Sequence, residues 1–289
     1  MHLKRKQKNK PYTLEATVKI TAAQVNELRK KTGAGMMDCK KALVEAGGDF
    51  DAAIDLLRKQ GQKVAAKRSD RDAAEGIVLG KVNGNKAILL NLSCETDFVA
   101  KTDDFVAFAN SLLDLAFENN LTSVDALIGA TYNGAPVSEA ITELTGKTGE
   151  KVEVSGLEVI EADTVVAYNH PGNRVGTIVG LNKAGFEELG RDVAMQAAAM
   201  APVALNKESV SDEVIAKEIE IGKDLAIQEG KPAEMAEKIA QGRLGKFFKE
   251  NTLMEQAFIK DNKKSVANYL KEADPELTVT EFKRFSLGN

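Results

Sequence analysis

Two stretches of the chain repeat the same order of elements at a constant offset, and this duplication constrains the fold more than any other feature. In the first stretch an Asn83-Gly84 turn joins two short apolar runs. Asn-Gly supplies the positive φ angles that a type I′ hairpin turn requires, and a helical pattern follows. Gly172 lies 88 positions after Gly84, in the turn of a second hairpin that also leads into a helix. The sequence therefore predicts two related subdomains, each built from a hairpin and a helix.

Each copy of the repeat ends in a further run that is long enough to add a third strand to its hairpin. These runs are residues 152–160 in the first copy and residues 278–285 in the second. We therefore expect an α+β fold with small antiparallel sheets. One core subdomain would span residues 77–164 and the other would span residues 165–289.

The segment before the first hairpin is typical of a small helical bundle. Residues 20–60 contain three short helical patterns separated by Gly33 and by Gly47-Gly48, and several of their apolar residues are spaced to share one core. Those residues are Leu28, Met37, Leu43, Ile54 and Leu57. Residues 61–76 lack a clear apolar face, so we expect them to form a linker, in helical or extended form.

Residues 211–249 interrupt the second subdomain with two helical patterns joined by Gly230-Lys231-Pro232. Glycine can end the first helix and proline can begin the second, which indicates a helical hairpin. The larger apolar residues predict the seam of an antiparallel coiled coil. They are Val214, Ile221 and Leu225 on one helix and Met235, Ile239 and Leu244 on the other. The alternative is that both helices lie flat on the core.

The charge of the chain favours protein partners over nucleic acid. The net charge is −4, yet the first ten residues carry five cations, which leaves −9 for the rest. An acidic body lacks the broad Lys and Arg surface that binds phosphates nonspecifically. The basic segment, residues 1–19, is expected to be a solvated extension. No apolar run approaches the roughly 18 residues that span a bilayer, and no secretion signal opens the chain, so we expect a cytoplasmic protein.

The residues that carry chemistry are too few for a metal centre or a nucleotide-binding loop. The chain has two cysteines and two histidines and no CxxC pair, so we expect neither a metal site nor a disulfide. Gly146-Lys147-Thr148 resembles the end of a P-loop, but Ile141 stands where that motif needs its first glycine. We expect no cofactor and no direct nucleotide binding. Cys94, Asp97 and His170 could form a catalytic triad, although a cysteine after a strand is more often a small buried apolar residue.

Two features fit an interaction surface better than a core. Met36 and Met37 begin the second helix of the bundle, and both cannot easily face its core, which leaves one for a binding surface. Asp97-Phe98-Val99 places an aromatic residue on a polar loop after the first hairpin. The alternative is that Phe98 packs onto Phe105 as a hydrophobic staple.

Two motifs are specific enough to indicate a family. Residues 32–43 read TGAGMMDCKKAL and residues 96–100 read TDFVA, and both closely resemble the bacterial elongation factor Ts family. The resemblance extends over about residues 20–285. It implies a ubiquitin-associated-like (UBA-like) three-helix domain, a duplicated core and an inserted coiled-coil arm, which agrees with the organisation predicted above.

The resemblance also implies a function and the residues that carry it. Members of this family promote guanine nucleotide exchange on elongation factor Tu without covalent chemistry, and they bind it in GDP-bound and nucleotide-free forms. The loop that carries Phe98 would wedge into the partner and disturb its Mg²⁺ site. The implied contacts are Thr96, Asp97, Phe98 and Val99 in the loop, Arg29, Met36, Met37 and Lys40 in the bundle, and His170 and Ile259 in the second subdomain. The alternative is a UBA-like protein-binding adaptor without exchange activity.

Overall fold

The structure, a computed structural model, describes residues 19–288, so residues 1–18 of the predicted basic extension lie outside the described part. The helices are α1 (Ala22–Thr32), α2 (Met36–Glu45), α3 (Phe50–Arg68), α4 (Asp97–Ala100), α5 (Asp103–Glu118), α6 (Val124–Gly129), α7 (Val137–Thr148), α8 (Glu187–Met200), α9 (Asp212–Gln228), α10 (Ala233–Asn251) and α11 (Val266–Ala273). The strands are β1 (Glu75–Asn83), β2 (Lys86–Cys94), β3 (Thr131–Tyr132), β4 (Ala135–Pro136), β5 (Val152–Glu161), β6 (Thr164–Asn169), β7 (Val175–Leu181), β8 (Ala257–Phe258), β9 (Asp261–Ser265) and β10 (Val279–Ser286). Among the described residues no helix is long and apolar enough to cross a bilayer.

The chain divides into two compact units. The first contains the described residues up to Lys67 together with Glu143–Gly149, and the second contains Arg68–Thr142 and the residues from Glu150 onward. This division differs from the boundaries expected from the sequence: the two core subdomains fall within one unit, and residues 61–67 of the predicted linker belong to the first unit. The end of α7 joins the helical bundle, although the pattern of the sequence assigns it to the first core subdomain.

The first unit is built around the three-helix bundle. Thr21 begins α1 with a capping box: the hydroxyl of Thr21 accepts the backbone N–H of Gln24, and the side chain of Gln24 accepts the backbone N–H of Thr21. Gly33 ends α1 in the left-handed conformation, with φ 66°. The core of the bundle is a cluster of small and medium apolar side chains. They are Val25, Leu28, Cys39, Ala42, Leu43 and Ala53.

One prediction about the bundle is wrong, and the linker takes one of its two expected forms. Met37 does not enter the core, because the buried face of α2 is formed by Cys39, Ala42 and Leu43. The side chain of Met37 is 60% exposed and that of Met36 is 51% exposed. The predicted linker is helical in its first half, since α3 continues to Arg68. Gly61 does not end α3 because it is buried against Gly146, where a Cβ on Gly146 would lie 2.6 Å from the Gly61 Cα.

The second unit contains two three-stranded antiparallel sheets, which confirms the predicted α+β class. The strand orders are β1-β2-β5 and β6-β7-β10, so the second strand of each hairpin is central in both. The predicted hairpin forms, but Asn83 pairs with Lys86, so the two turn residues are Gly84 and Asn85, one position later than the Asn-Gly signal predicts; Gly84 has φ 61°. The apolar face of α5, with Phe105, Phe108 and Leu112, packs on the first sheet.

The two sheets of the second unit share a core at which glycines permit close approach. A Cβ on Gly176 would lie 2.7 Å from Val78 Cγ1, and a Cβ on Gly156 would collide with the ring of Phe285. Between the sheets lie seven buried apolar residues. They are Val78, Ala87, Leu89, Ile160, Val165, Ile178 and Leu287. The duplicated halves are therefore joined through their sheets, while α8 covers the other face of the second sheet.

The inserted helices α9 and α10 pack against each other as an antiparallel pair, but their seam is not the predicted one. The buried residues are small: Gly222 and Ala226 on α9, and Ala236 and Ala240 on α10. A Cβ on Gly222 would lie only 3.1 Å from the Ala240 Cα, so the backbones approach closely. At this point there is no room for a larger side chain between the helices. Of the predicted seam, Ile221, Leu225 and Met235 are exposed, and Val214, Ile239 and Leu244 are half-buried.

Candidate functional site

The loop after β2 is shaped by two consecutive helix caps. The hydroxyl of Thr96 accepts the N–H of Val99 and begins the single turn of α4, and the hydroxyl of Thr102 accepts the N–H of Phe105 and begins α5. Thr102 also donates its hydroxyl to the carbonyl of Val99 at 2.8 Å. The chain therefore changes direction twice within a few residues, and α4 is held between the two caps.

Two carboxylates anchor the base of this loop. Glu150 accepts the N–H of Thr96 at 3.0 Å and its hydroxyl at 2.7 Å. Glu95 accepts the N–H of Lys151 and the guanidinium of Arg68, each at 2.7 Å. Hydrogen bonds to charged acceptors are stronger than neutral ones, so the backbone of the loop is fixed on both sides.

The structure does not bring Phe98 into the core. Its side chain is 80% exposed, whereas Phe105 is fully buried, so the staple alternative is wrong. The reason is the helical geometry of α4. Its buried residue is Ala100, and a residue two positions earlier is rotated by about 200° and faces away from the core. An exposed aromatic ring on an anchored loop is the most distinctive feature of this site.

Asp97 lies beside Phe98 and remains accessible. Its carboxylate binds the ammonium of Lys101 one turn later, at 2.6 Å. The hydrogen bond from Lys101 is the main cause that lowers the pKa of Asp97, and the charge of Arg174 acts in the same direction. The group is therefore an ionised acceptor at neutral pH, in an exposed pair that contributes little to stability.

Cys94 is unsuited to nucleophilic catalysis. The thiol is buried and donates to the carbonyl of Thr96 at 3.1 Å. Burial, as the largest cause, raises its pKa to about 12. Because the thiolate is the reactive form, Cys94 is an inert structural residue and not the nucleophile of a triad.

His170 lies in the turn between β6 and β7, which is fastened to the first repeat. The imidazole is exposed and its Nδ1 is 3.0 Å from the hydroxyl of Tyr168. The carbonyl of Asn173 accepts the N–H of Val78 at 2.7 Å, and the side chain of Asn169 bonds to both backbone groups of Gly80. The turn thus has a fixed position along β1.

Asp97 and residues 172–174 of the turn after β6 line one cleft, and neither Phe98 nor His170 is part of its lining. This cleft has a volume of about 340 Å³ and is lined by residues of the loop, of the turn and of the start of β1. Arg174, at the end of the turn, forms an ion pair with Glu75 on β1, and its charge acts on Asp97. The sequence analysis missed Arg174, Glu75 and Glu150 as site residues.

Ile259 lies on different elements, in the turn between β8 and β9, and is exposed. Its N–H donates to the side chain of buried Gln196 at 2.8 Å, which fixes the turn on α8. The neighbouring Lys260 binds Asp192 at 2.6 Å, and Asp192 also accepts the hydroxyl of Tyr269. Ile259 is therefore an apolar side chain presented to solvent on a well-supported turn.

The four residues implied in the bundle are all exposed. Arg29 lies in the last turn of α1, and Met36 and Met37 lie in the first turn of α2, so they flank the turn at Gly33–Gly35. Lys40 follows Met36 by four positions and Met37 by three, which places it on the same side of α2. These residues belong to the first unit, and the cleft belongs to the second.

Comparison with known proteins identifies the family. A family model described as Elongation factor TS matches residues 95–289. The Elongation factor Ts of Christiangramia forsetii is 56% identical over 274 residues, which are 93% of this chain and 99% of the relative. Those of Flavobacterium psychrophilum and Porphyromonas gingivalis are 51% and 43% identical, again over 93% of this chain and over 99% and 98% of the relatives. The chain therefore belongs to the elongation factor Ts family.

Proposed function

We propose that this chain binds elongation factor Tu and promotes the release of GDP, so that GTP can take its place. The proposal rests on membership of the elongation factor Ts family and on one structural observation, the exposed Phe98 ring on an anchored loop. It places the chain in the cytoplasm, where translation elongation proceeds. It requires no cofactor, no bound nucleic acid and no covalent step.

The exposed ring is suited to entering an apolar cleft in a partner. Burying a phenylalanine side chain is worth about 1.5–3 kcal/mol, and Phe98 makes little use of that energy within its own chain. The hydrogen bonds that Thr96 donates to Glu150 already fix the loop, so insertion loses little further conformational entropy. Both properties favour a wedge over an adaptable contact.

The wedge would act on the nucleotide through the metal ion of the partner. Mg²⁺ requires nearly octahedral oxygen geometry and bridges the phosphates to the protein in GTPases. A small displacement of its ligands therefore weakens the hold on GDP. In this mechanism Phe98 supplies the displacement, Val99 extends the apolar surface, and Thr96 with Asp97 positions the loop or bonds to the partner.

Several contact regions are needed because the effect depends on differential binding. Each tenfold loosening of GDP requires that the chain bind the nucleotide-free partner about 1.4 kcal/mol more tightly than the GDP-bound partner. We propose that Arg29, Met36, Met37 and Lys40 dock the bundle on the partner. His170 and Ile259 would supply contacts from the second subdomain.

The proposal is tested with elongation factor Tu that carries a fluorescent GDP. Unlabelled nucleotide is added in excess, and release is followed at increasing concentrations of this chain. We expect release to accelerate and to saturate, and we expect Met37→Asp to raise the concentration needed for half of the maximal effect. Ala52→Asp is the matched control, because it adds the same charge at an exposed site on α3 of the same bundle. If the wild-type chain binds the partner without accelerating release, the adaptor alternative is favoured.

A further inference from the structure

The charge of the chain is divided unevenly between its two units. The described residues of the first unit carry eleven Lys and Arg side chains and seven Asp and Glu side chains, whereas the second unit carries 23 and 35. The acidic body expected from the sequence is therefore the second unit alone, with −12, and the first unit is basic, with +4. A basic region attracts anionic partners locally even when the net charge of the whole chain is negative.

The positive charge of the first unit is concentrated on the second half of α3. Residues 58–68 contain five cations and no carboxylate. Lys59, Lys63 and Lys67 follow one another at intervals of four positions, which places them on one side of the helix, about 6 Å apart along its axis. All three side chains are exposed, as are Gln62 and Ala66 on the same side. These five residues are called the α3 basic face below.

The charge of the α3 basic face is not neutralised within the chain. Among residues 19–288 no ion pair involves its three lysines, although both arginines of this segment bind carboxylates. Like charges four positions apart destabilise a helix, and the face contains two such pairs. Elsewhere the chain places a carboxylate at this spacing, as in Glu27–Lys31 and Asp97–Lys101. The helix dipole favours cations only in the last turn, so it accounts for Lys67 and not for the other two lysines.

The side chains of the α3 basic face favour a phosphate backbone over a protein surface. The centre of a protein interface is depleted in lysine and enriched in aromatic residues and methionine. Helix α2 presents such side chains with its exposed Met37 and Val44, whereas α3 exposes no large apolar side chain. Lysine and glutamine are instead typical donors to phosphate oxygens, which hold a nucleic acid without reading its sequence.

We propose that the α3 basic face binds the phosphate backbone of RNA without sequence preference. Only the choice of RNA over DNA rests on the proposed role in translation, because RNA is the nucleic acid present there. Three lysines supply three phosphate contacts. Each contact on a single strand contributes about −0.7 to the slope of log affinity against log salt concentration, so the face contributes about −2.

The test is fluorescence anisotropy of a fluorescein-labelled single-stranded RNA of mixed sequence, titrated with the full chain at salt concentrations between about 50 and 200 mM. The test variant combines Lys59→Gln, Lys63→Gln and Lys67→Gln. Its salt slope should be less steep than that of the wild type by about 2. The ratio of the wild-type affinity to the variant affinity should therefore fall by about 20-fold over this range of salt. An unlabelled RNA of unrelated sequence should compete equally well.

The matched control combines Lys217→Gln, Lys238→Gln and Lys249→Gln. These lysines of α9 and α10 are also exposed, and each has a carboxylate within four positions along its helix. The control removes the same charge and should keep the wild-type salt slope. Residues 1–18 are present in all three proteins, so the differences between them report the substituted lysines. Circular dichroism verifies that both variants keep their helices.

Three results would overturn the proposal. One is a wild-type chain that does not bind the RNA at the lowest salt concentration. Another is equal RNA binding by the two triple variants, which would place the contact elsewhere or reduce it to net charge. The third is unchanged RNA binding by the α3 variant together with weaker binding to elongation factor Tu, which would make the α3 basic face a protein contact. The RNA assay contains no elongation factor Tu, so its outcome is separate from that of the exchange assay.

Discussion

Replacement of Phe98 by alanine tests whether this side chain stabilises the fold or is available to bind a partner. Only about a fifth of the Phe98 surface is covered, so the burial lost in Phe98→Ala is about a fifth of the ~1.5–3 kcal/mol of a fully buried phenylalanine. The resulting ~0.3–0.6 kcal/mol is offset by the higher helix propensity of alanine, by up to ~0.5 kcal/mol. The free energy of unfolding should therefore remain almost unchanged.

The assay is thermal unfolding followed by circular dichroism, with Phe105→Ala as the comparison. Phe105 is fully buried in the same unit, so its truncation should cost ~3–5 kcal/mol and lower the melting midpoint by roughly 6–20 °C. The midpoint of Phe98→Ala should change by less than about 2 °C. If Phe98→Ala lowers the midpoint as much as Phe105→Ala does, the ring is a structural staple and the reasoning from exposure is refuted.

Three further predictions concern charge, reactivity and packing. The hydrogen bond from Lys101 lowers the pKa of Asp97 in the folded chain. The stabilisation from this ion pair should therefore be complete above the carboxyl pKa of the unfolded chain, about 3.9. It should be lost as the pH falls through the lower pKa of the folded chain. A carboxyl NMR titration of Asp97 should show this low midpoint, and Lys101→Gln should raise it. Cys94, with a pKa raised to about 12, should resist alkylation at pH 8 in the native chain and react only after unfolding, as measured by mass spectrometry. Gly222→Ala should destabilise the pair of helices α9 and α10, because the new Cβ would lie 3.1 Å from the Ala240 Cα. Gly245→Ala, which adds a Cβ in open space, should instead stabilise α10 by roughly 0.5–1 kcal/mol. Equal effects of the two substitutions in urea unfolding would argue against the close approach at Gly222.

Local signals in the sequence were sufficient where the neighbouring residues determine the structure. Asn83-Gly84 predicts the hairpin because a tight turn between strands needs positive φ, which Gly84 adopts. The 88-residue offset predicts that the second half repeats the first. Both sheets have the three strands expected from it.

Predictions failed where packing against distant residues decides the outcome. Hydrophobicity assigned the arm seam to Ile221 and Leu225, but close backbone approach selects Gly222 and Ala226. Residues 61–76 were assigned to a linker because they lack a clear apolar face, yet Gly61 lies within a continuous helix, where it permits contact with Gly146. In both cases the glycine or alanine is required by a partner helix that the local sequence does not reveal.

The sequence predicted the motifs of the candidate site but not the ion pair and hydrogen bonds that hold its loop and turn in place. The TDFVA motif identified the loop by resemblance, and the structure adds that Phe98 is exposed on it. The ion pair between Arg174 and Glu75 joins residues 99 positions apart, and the hydrogen bonds that Thr96 donates to Glu150 span 54 positions. No local pattern predicts such pairs, because they depend on how elements that are distant in the sequence pack together.

The most direct test of the account is the maximal rate of GDP release from elongation factor Tu in the presence of saturating Phe98→Ala. Val82→Ala is the matched control, since Val82 is another exposed apolar residue of the same unit. The account predicts that Phe98→Ala loses most of the acceleration although it still binds the partner, and that Val82→Ala retains it. Full acceleration by Phe98→Ala at saturation would contradict the claim that this ring is the wedge.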